Sequence, residues 1–179
     1  MTLIFAPSGA FRMRGASTVF EVAPAKTEVR KVGVLHDPTP YGNLQKDLAV
    51  KAAPDYGVEV PVVEQYKQDD ADFNTQISKM EAAGAKAIVK TGLGGSTLTV
   101  AKNIKQLGLK TLLMGSVDDL AVFKPAGETL GDQFVFVASP AQVFDVLPEG
   151  AMKQEIACPF GAPSMATGTP CGLARRGTP

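Results

Sequence analysis

Three glycines punctuate the middle of this chain: Gly57, Gly84 and Gly108, spaced 27 and 24 residues apart. Upstream of each, apolar side chains recur at helical spacing. The three sets are Tyr41, Leu44, Leu48 and Ala52; Phe73, Ile77 and Met80; and Leu98, Ala101, Ile104 and Leu107. Downstream, within one to four residues, a short β-type run begins: Val58–Val63, Ala87–Val89 and Leu112–Met114. A glycine at that junction is what a helix C-terminus requires, because the residue after the last turn adopts a left-handed conformation. Each interval is about one strand–helix unit, so the pattern predicts a βα repeat.

Lys31–His36 supplies the first strand of the series and Phe134–Val137 the last. Asp37-Pro38-Thr39-Pro40 stops the first strand, since prolines cannot continue a ladder and bias their predecessors away from helix. Val117–Phe123 reads as a short helical turn, and Asp69, Asp70 and Asp72 place negative charge where the Phe73 helix begins, as its dipole favours. Strands alternating with helices predict an α/β fold, a doubly wound, mostly parallel sheet with helices on both faces in three layers. The repeat spans residues 31–140, the expected ligand-binding lobe. Residues 1–30 carry only a faint strand at Thr18–Val22. Residues 141–179 are expected to pack poorly, with four glycines and four prolines between 151 and 179.

Composition excludes several functions. Lys plus Arg and Asp plus Glu both number 18, so no net field draws in nucleic acid or an anionic membrane surface, and no basic stripe appears. No stretch approaches the roughly 20 apolar residues of a membrane span. Arg12 and Arg14 follow the short N-terminal apolar run rather than precede it, so the signal-peptide pattern is lacking. Cys158 and Cys171 match no metal spacing and His36 is the one histidine, so neither a metal nor a cofactor is expected.

In an open parallel sheet, ligands bind outside the carboxyl ends of the strands. That rule selects the loops Asp37–Gly42, Gln65–Lys67, Thr91–Ser96, Gly115–Asp119 and Ser139–Pro140. They bring hydroxyls (Thr39, Thr91, Ser96, Thr97, Ser116), rings (Tyr41, Tyr66) and carboxylates (Asp37, Asp118, Asp119). Gly92-Leu93-Gly94-Gly95-Ser96 resembles a phosphate loop but lacks the full GxGxxG and a Walker lysine, so a tight turn or a carboxylate contact is the commoner role. Asp37 reads as a turn cap and His36 as a structural histidine. Tyr41 divides evenly between stacking on a ligand and packing at a helix start. No catalytic constellation emerges, and the chain reads as a binder rather than an enzyme.

The stretches KVGVLHDPTPYG, YGVEV, DDADFNTQISKMEAAGAKAIV, AKNIKQLGLKTLLMGS and AGETLGDQFVF, in this order and spacing, resemble the type I periplasmic solute-binding proteins of ABC transporters, in the branched-chain amino acid (Leu/Ile/Val) group. The resemblance implies two lobes closing on a small molecule delivered to a membrane permease, and a periplasmic location. It covers the second lobe alone, which implies a truncated member, and it dissolves after Gly150. Carried over, Tyr41 matches the family's aromatic contact. Leu93 falls where amino-acid binders often have a second tyrosine, and Val117 falls where they have a glutamate for the ligand's ammonium. Asp118 substitutes for that glutamate if the loop shifts by one residue. The expected ligand-binding set is therefore Tyr41, Thr39, Thr91, Gly92, Leu93, Ser96, Ser116, Val117 and Asp118, and the ligand an amino-acid-like or aromatic acid. Two alternatives stand beside it. One is a flavodoxin-like nucleotide or phosphate module, suggested by the glycine loop. The other is a remnant without activity that self-associates through its exposed lobe face.

Overall fold

The computed structural model describes residues 2–5, 29–67, 69–92, 95–116 and 120–138. The chain order is β1 (Thr2–Phe5), β2 (Lys31–His36), α1 (Pro40–Ala52), a 3-10 turn (Ala53–Tyr56), β3 (Glu59–Gln65), α2 (Asn74–Ala82) and β4 (Ala87–Thr91). It continues with α3 (Ser96–Gln106), β5 (Leu112–Ser116), α4 (Leu120–Leu130), a second 3-10 turn (Gly131–Gln133) and β6 (Phe134–Ala138). The strands form one six-stranded sheet ordered β1-β6-β5-β4-β2-β3. Every pairing is parallel. The doubly wound α/β fold expected from the repeat is thus the fold observed.

The order of strands places the helices. From β2 the chain steps outward to β3, then reverses and steps through β4, β5 and β6 in the opposite direction. Right-handed crossovers put α1 on one face and α2, α3 and α4 on the other. In keeping with this, α3 packs on α4 and touches α2. Alternation along the strands fills both faces. Val32, Val34, Ala87, Val89, Met114 and Val135 form the cluster with Ala49 of α1, Ala53 and Val58. The alternate positions Leu35, Ile88, Leu113, Phe134 and Phe136 are equally buried, as are Ile77, Met80, Ile104 and Phe123 from the helices. Each such side chain contributes roughly 1.5–3 kcal/mol by leaving water. Phe123 stacks on Phe136 with centroids 4.2 Å apart and planes at 19°, which fastens α4 to β6.

Strand position decides residue type. Central β4 is buried at all five positions, as a strand covered on both faces must be. Edge strand β3 alternates between exposed and half-buried and tolerates Pro61, whose missing N–H would break a central ladder. Gly57, Gly84 and Gly108 have φ of 66°, 80° and 66°, the left-handed helix ends that their spacing predicts.

Two features differ from the sequence reading. The short turn expected at Val117–Phe123 is an eleven-residue helix, Leu120–Leu130, while 117–119 lie outside the described residues. Pro125 sits inside that helix. The carbonyl that it deprives of a donor belongs to Ala121, a residue exposed to solvent. Buried Phe123, Ala126 and Leu130 hold the helix on the sheet, and the Thr129 hydroxyl donates to the Pro125 carbonyl at 2.8 Å. The second difference is β1: Thr2–Phe5 extends the sheet alongside β6, although no strand was expected there. The strand expected at Thr18–Val22 and the tail at 141–179 fall outside the described residues.

Candidate functional site

Adjacent strands β2 and β4 send their chains in opposite directions, β2 through α1 to β3 and β4 through α3 to β5. The strands stay paired to their last residues, His36 beside Thr91, and the chain leaves them towards opposite sides, the switch point outside which open α/β sheets hold ligands in a crevice. The described residues around it come from the turn after β2 (Asp37, Thr39), the start of α1 (Tyr41, Gly42), the residue after β3 (Tyr66), the end of β4 (Lys90, Thr91, Gly92) and the start of α3 (Gly95, Ser96).

Asp37 organises this end of the sheet. It is fully buried. One carboxylate oxygen accepts the Thr39 N–H at 3.1 Å and the Thr39 hydroxyl proton. Thr39 in turn caps α1: its hydroxyl oxygen accepts the Gly42 N–H at 3.0 Å, and Pro40 takes the first helical position, where a missing N–H costs nothing. A carboxylate so placed also benefits from the positive end of the α1 dipole. The ring of His36, itself buried, donates from Nδ1 to the Asp37 carbonyl at 2.9 Å, which fixes the tautomer.

Two glycines make room for Asp37. A Cβ on Gly42 would lie 2.6 Å from the Asp37 carbonyl oxygen and nearer still to its Oδ1. A Cβ on Gly92 would lie 2.5 Å from Asp37 Cγ and 2.9 Å from the Tyr66 hydroxyl. Gly92 also has a φ of 108°, outside the range of ordinary side chains. The first turn of α1 and the turn after β4 thus close on one buried carboxylate from both sides. Gly92 is accounted for by this close approach, without a phosphate to cradle.

Thr91 is buried and its hydroxyl reaches the Gly42 carbonyl at 3.5 Å. Tyr66 donates its hydroxyl proton to the Thr91 carbonyl at 3.2 Å and meets Phe73 edge-on at 5.4 Å. Lys90, 1% exposed, holds its ammonium 5.8 Å from the Tyr66 ring centroid, a cation–π contact that desolvation strengthens. Tyr41 is half-buried at the rim.

The structure therefore places Thr39, Tyr41, Thr91, Gly92 and Ser96 of the expected set at or just after the C-terminal ends of β2 and β4. Leu93, Val117 and Asp118 lie outside the described residues. Ser116 closes β5 beside β6 and is placed by its backbone alone. Sequence reasoning missed Lys90, because a lysine at a strand's end reads as solvent-facing, and gave no packing role to Gly42. A depression on α2 lined by Asn74, Thr75, Ser78 and Lys79 comes wholly from one helix and shares no residue with the crevice.

Burial, and secondarily the negative charge of Asp37, raises the Tyr41 phenol above its ordinary value of 10.0. An acid whose folded value is raised supports folding below its unfolded value, and that support disappears as pH climbs through the folded one. The wild type should lose stability relative to Tyr41→Phe as pH rises above about 10. Parallel urea titrations of both proteins at pH 8 and pH 11 check this, and an unchanged difference would mean that the phenol is freely solvated.

The family model described as "Periplasmic binding protein" matches residues 4–153. The leucine-, isoleucine-, valine-, threonine- and alanine-binding protein of Pseudomonas aeruginosa is 31% identical over 113 residues, which are 63% of this chain and 30% of that protein. An amino acid binding protein of the same organism is 27% identical over 133 residues, 72% of this chain and 35% of its own length. The chain thus spans about a third of the curated relatives that it matches. A branched chain amino acid ABC transporter structure from Thermus thermophilus with bound valine shares the fold at 23% identity and a TM-score of 0.56, over 69% of this chain and 32% of that one. An extracellular ligand-binding receptor from Rhodopseudomonas palustris does so at 17% identity and a TM-score of 0.66, over 78% and 40%.

Proposed function

Since the chain belongs to the periplasmic binding protein family, in the type I, branched-chain amino acid group, we propose that it is a solute-binding lobe of an ABC importer. The lobe comprises residues 31–140 with Thr2–Phe5 added at the sheet edge. It takes a small amino-acid-like or aromatic acid in the crevice between β2 and β4, works in the periplasm and delivers to a permease. It binds rather than catalyses. The observation that carries this reading is the reversal of strand order at β2 and β4, which sends the connections beside Tyr41, Thr39 and Thr91 to opposite sides of a switch point. These residues supply one ring and two hydroxyls, a set suited to holding a small polar molecule by a few directed bonds and one apolar face.

Isothermal titration of the purified chain with leucine, valine, phenylalanine and benzoate tests the reading. At least one should bind, and Tyr41→Ala should weaken it about tenfold, the loss of one aromatic contact. Heat that never saturates with any of the four would sink the proposal. So would a stabilising shift of the melt by ATP or FMN alone, which would move the chain to the nucleotide-binding alternative.

A further inference from the structure

We propose that Lys90 is a positioning residue of the ligand site: its buried ammonium pairs with the Asp37 carboxylate, and this pair holds Thr39 and Tyr41 in place from beneath. The proposal rests on the solute-binding reading and adds to it a residue that acts on the ligand only through others. Geometry brings the two charges together. Along β4, Ala87 and Val89 belong to the cluster under α1, so Ile88 and Lys90 face the other side of the sheet. Tyr66 lies on that side too, edge-on to Phe73 at the start of α2. β4 and β3 flank β2, so roughly 10 Å separates them, two strand spacings. The Lys90 ammonium nevertheless comes within 5.8 Å of the Tyr66 ring centroid. Ammonium and ring therefore meet over the end of β2, where Asp37 stands.

The two carboxylate oxygens of Asp37 face different neighbours. Oδ1 accepts both the N–H and the hydroxyl proton of Thr39. Oδ2 lies towards Tyr66, because a Cβ on Gly92 would meet Oδ2 and the Tyr66 hydroxyl at once. That hydroxyl is neutral and gives its proton to the Thr91 carbonyl at 3.2 Å, so it does not balance the charge on Asp37. Asp37 and Lys90 are 0% and 1% exposed, and neither is left without a partner. Opposite charges buried on one face persist by pairing. The consequence for the site runs through Thr39. Asp37 holds the Thr39 hydroxyl in the orientation that caps α1, and Tyr41 stands in the first turn of that helix. Without the ammonium, the buried carboxylate is relieved only by taking up a proton or by turning out to water. Either change weakens its hold on Thr39.

A double-mutant cycle on the full chain tests the pairing. Lys90→Met, close in shape and uncharged, and Asp37→Asn, which keeps an acceptor for Thr39, should each lower Tm by about 8 °C or more. Asp37→Asn/Lys90→Met should melt above either single variant, since no unpaired charge remains. A double variant that folds where the single ones fail supports the pair, and one that melts no higher than the more stable single variant overturns it. Amide hydrogen exchange reads the positioning. In Lys90→Met the Thr39 and Gly42 amides should exchange faster relative to those of β4, and the double variant should restore them. Equal acceleration of all amides would make the lysine merely structural and overturn its positioning role. In titrations with leucine, valine, phenylalanine and benzoate, Lys90→Met should weaken whichever the wild type binds about tenfold, and the double variant should recover most of that loss. Unchanged affinity in folded Lys90→Met overturns the positioning role and leaves the solute-binding lobe standing. A wild type that binds none of the four removes the lobe's proposed function, while the melts and the Thr39 exchange still decide whether Lys90 holds Asp37.

Discussion

Gly92→Ala should destabilise the protein by about 3–5 kcal/mol and lower Tm by roughly 10 °C. Two costs combine. A φ of 108° is strained for any residue with a Cβ. The added methyl would also press on Asp37 Cγ at 2.5 Å and the Tyr66 hydroxyl at 2.9 Å. Neither neighbour can yield cheaply, since both are buried and hydrogen-bonded. Gly57→Ala is the control: its φ is 66°, but nothing lies within 4 Å of the added carbon. That change should cost only about 1–2 kcal/mol, the left-handed penalty alone. Urea denaturation of both variants decides the matter. Equal losses would show that Asp37 and Tyr66 do not crowd Gly92. In an Asp37→Ala background the Gly92→Ala cost should fall, because residues in contact are not additive.

Phe136→Ala should cost about 3–5 kcal/mol, the range for emptying a large aromatic site in a close-packed core. Phe136 is fully buried, stacks on Phe123 at 4.2 Å and lies 6.2 Å from Phe134, centroid to centroid. The ring is therefore shared between β6 and α4, and its loss removes contacts from both. Val63→Ala on edge strand β3, 39% exposed, should cost under about 1 kcal/mol by comparison. A calorimetric scan in which Phe136→Ala melts within 2 °C of the wild type would mean that the stack does not hold α4 in place.

Much of the fold was legible because helix ends impose a local demand. Gly57, Gly84 and Gly108 could be read as left-handed helix ends from their neighbours alone. Lys31–His36 could be read as a strand from its apolar run and the prolines that end it. β1 was not legible. Four residues, Thr2–Phe5, followed by no helical pattern carry no periodic signal, and their partner lies at Val135–Ala138. α4 was underread because Pro125 looks like a stop, whereas packing of Phe123, Ala126 and Leu130 outweighs one lost hydrogen bond. At the crevice, the types of residue were readable from their place after β2 and β4. What they touch was not. That Gly42 and Gly92 are glycines because of Asp37 is a tertiary fact, as is the burial of Lys90, and no spacing along the chain records either.

The pairing of β1 with β6 joins residues 133 positions apart, Thr2 with Val135, whereas β4 with β5 joins residues 25 apart, Ala87 with Leu112, and β5 with β6 residues 21 apart, Leu113 with Phe134. Closing the longer loop costs more chain entropy, and distant contacts are slow to form. The sheet should therefore assemble from β2 to β6 first and acquire β1 as its final act. In native-state hydrogen exchange, the β6 amides that depend on β1 would open by a sub-global route, while those of β4 exchange only with the whole molecule. Of the six strands, the first in chain order would be the last to join the sheet.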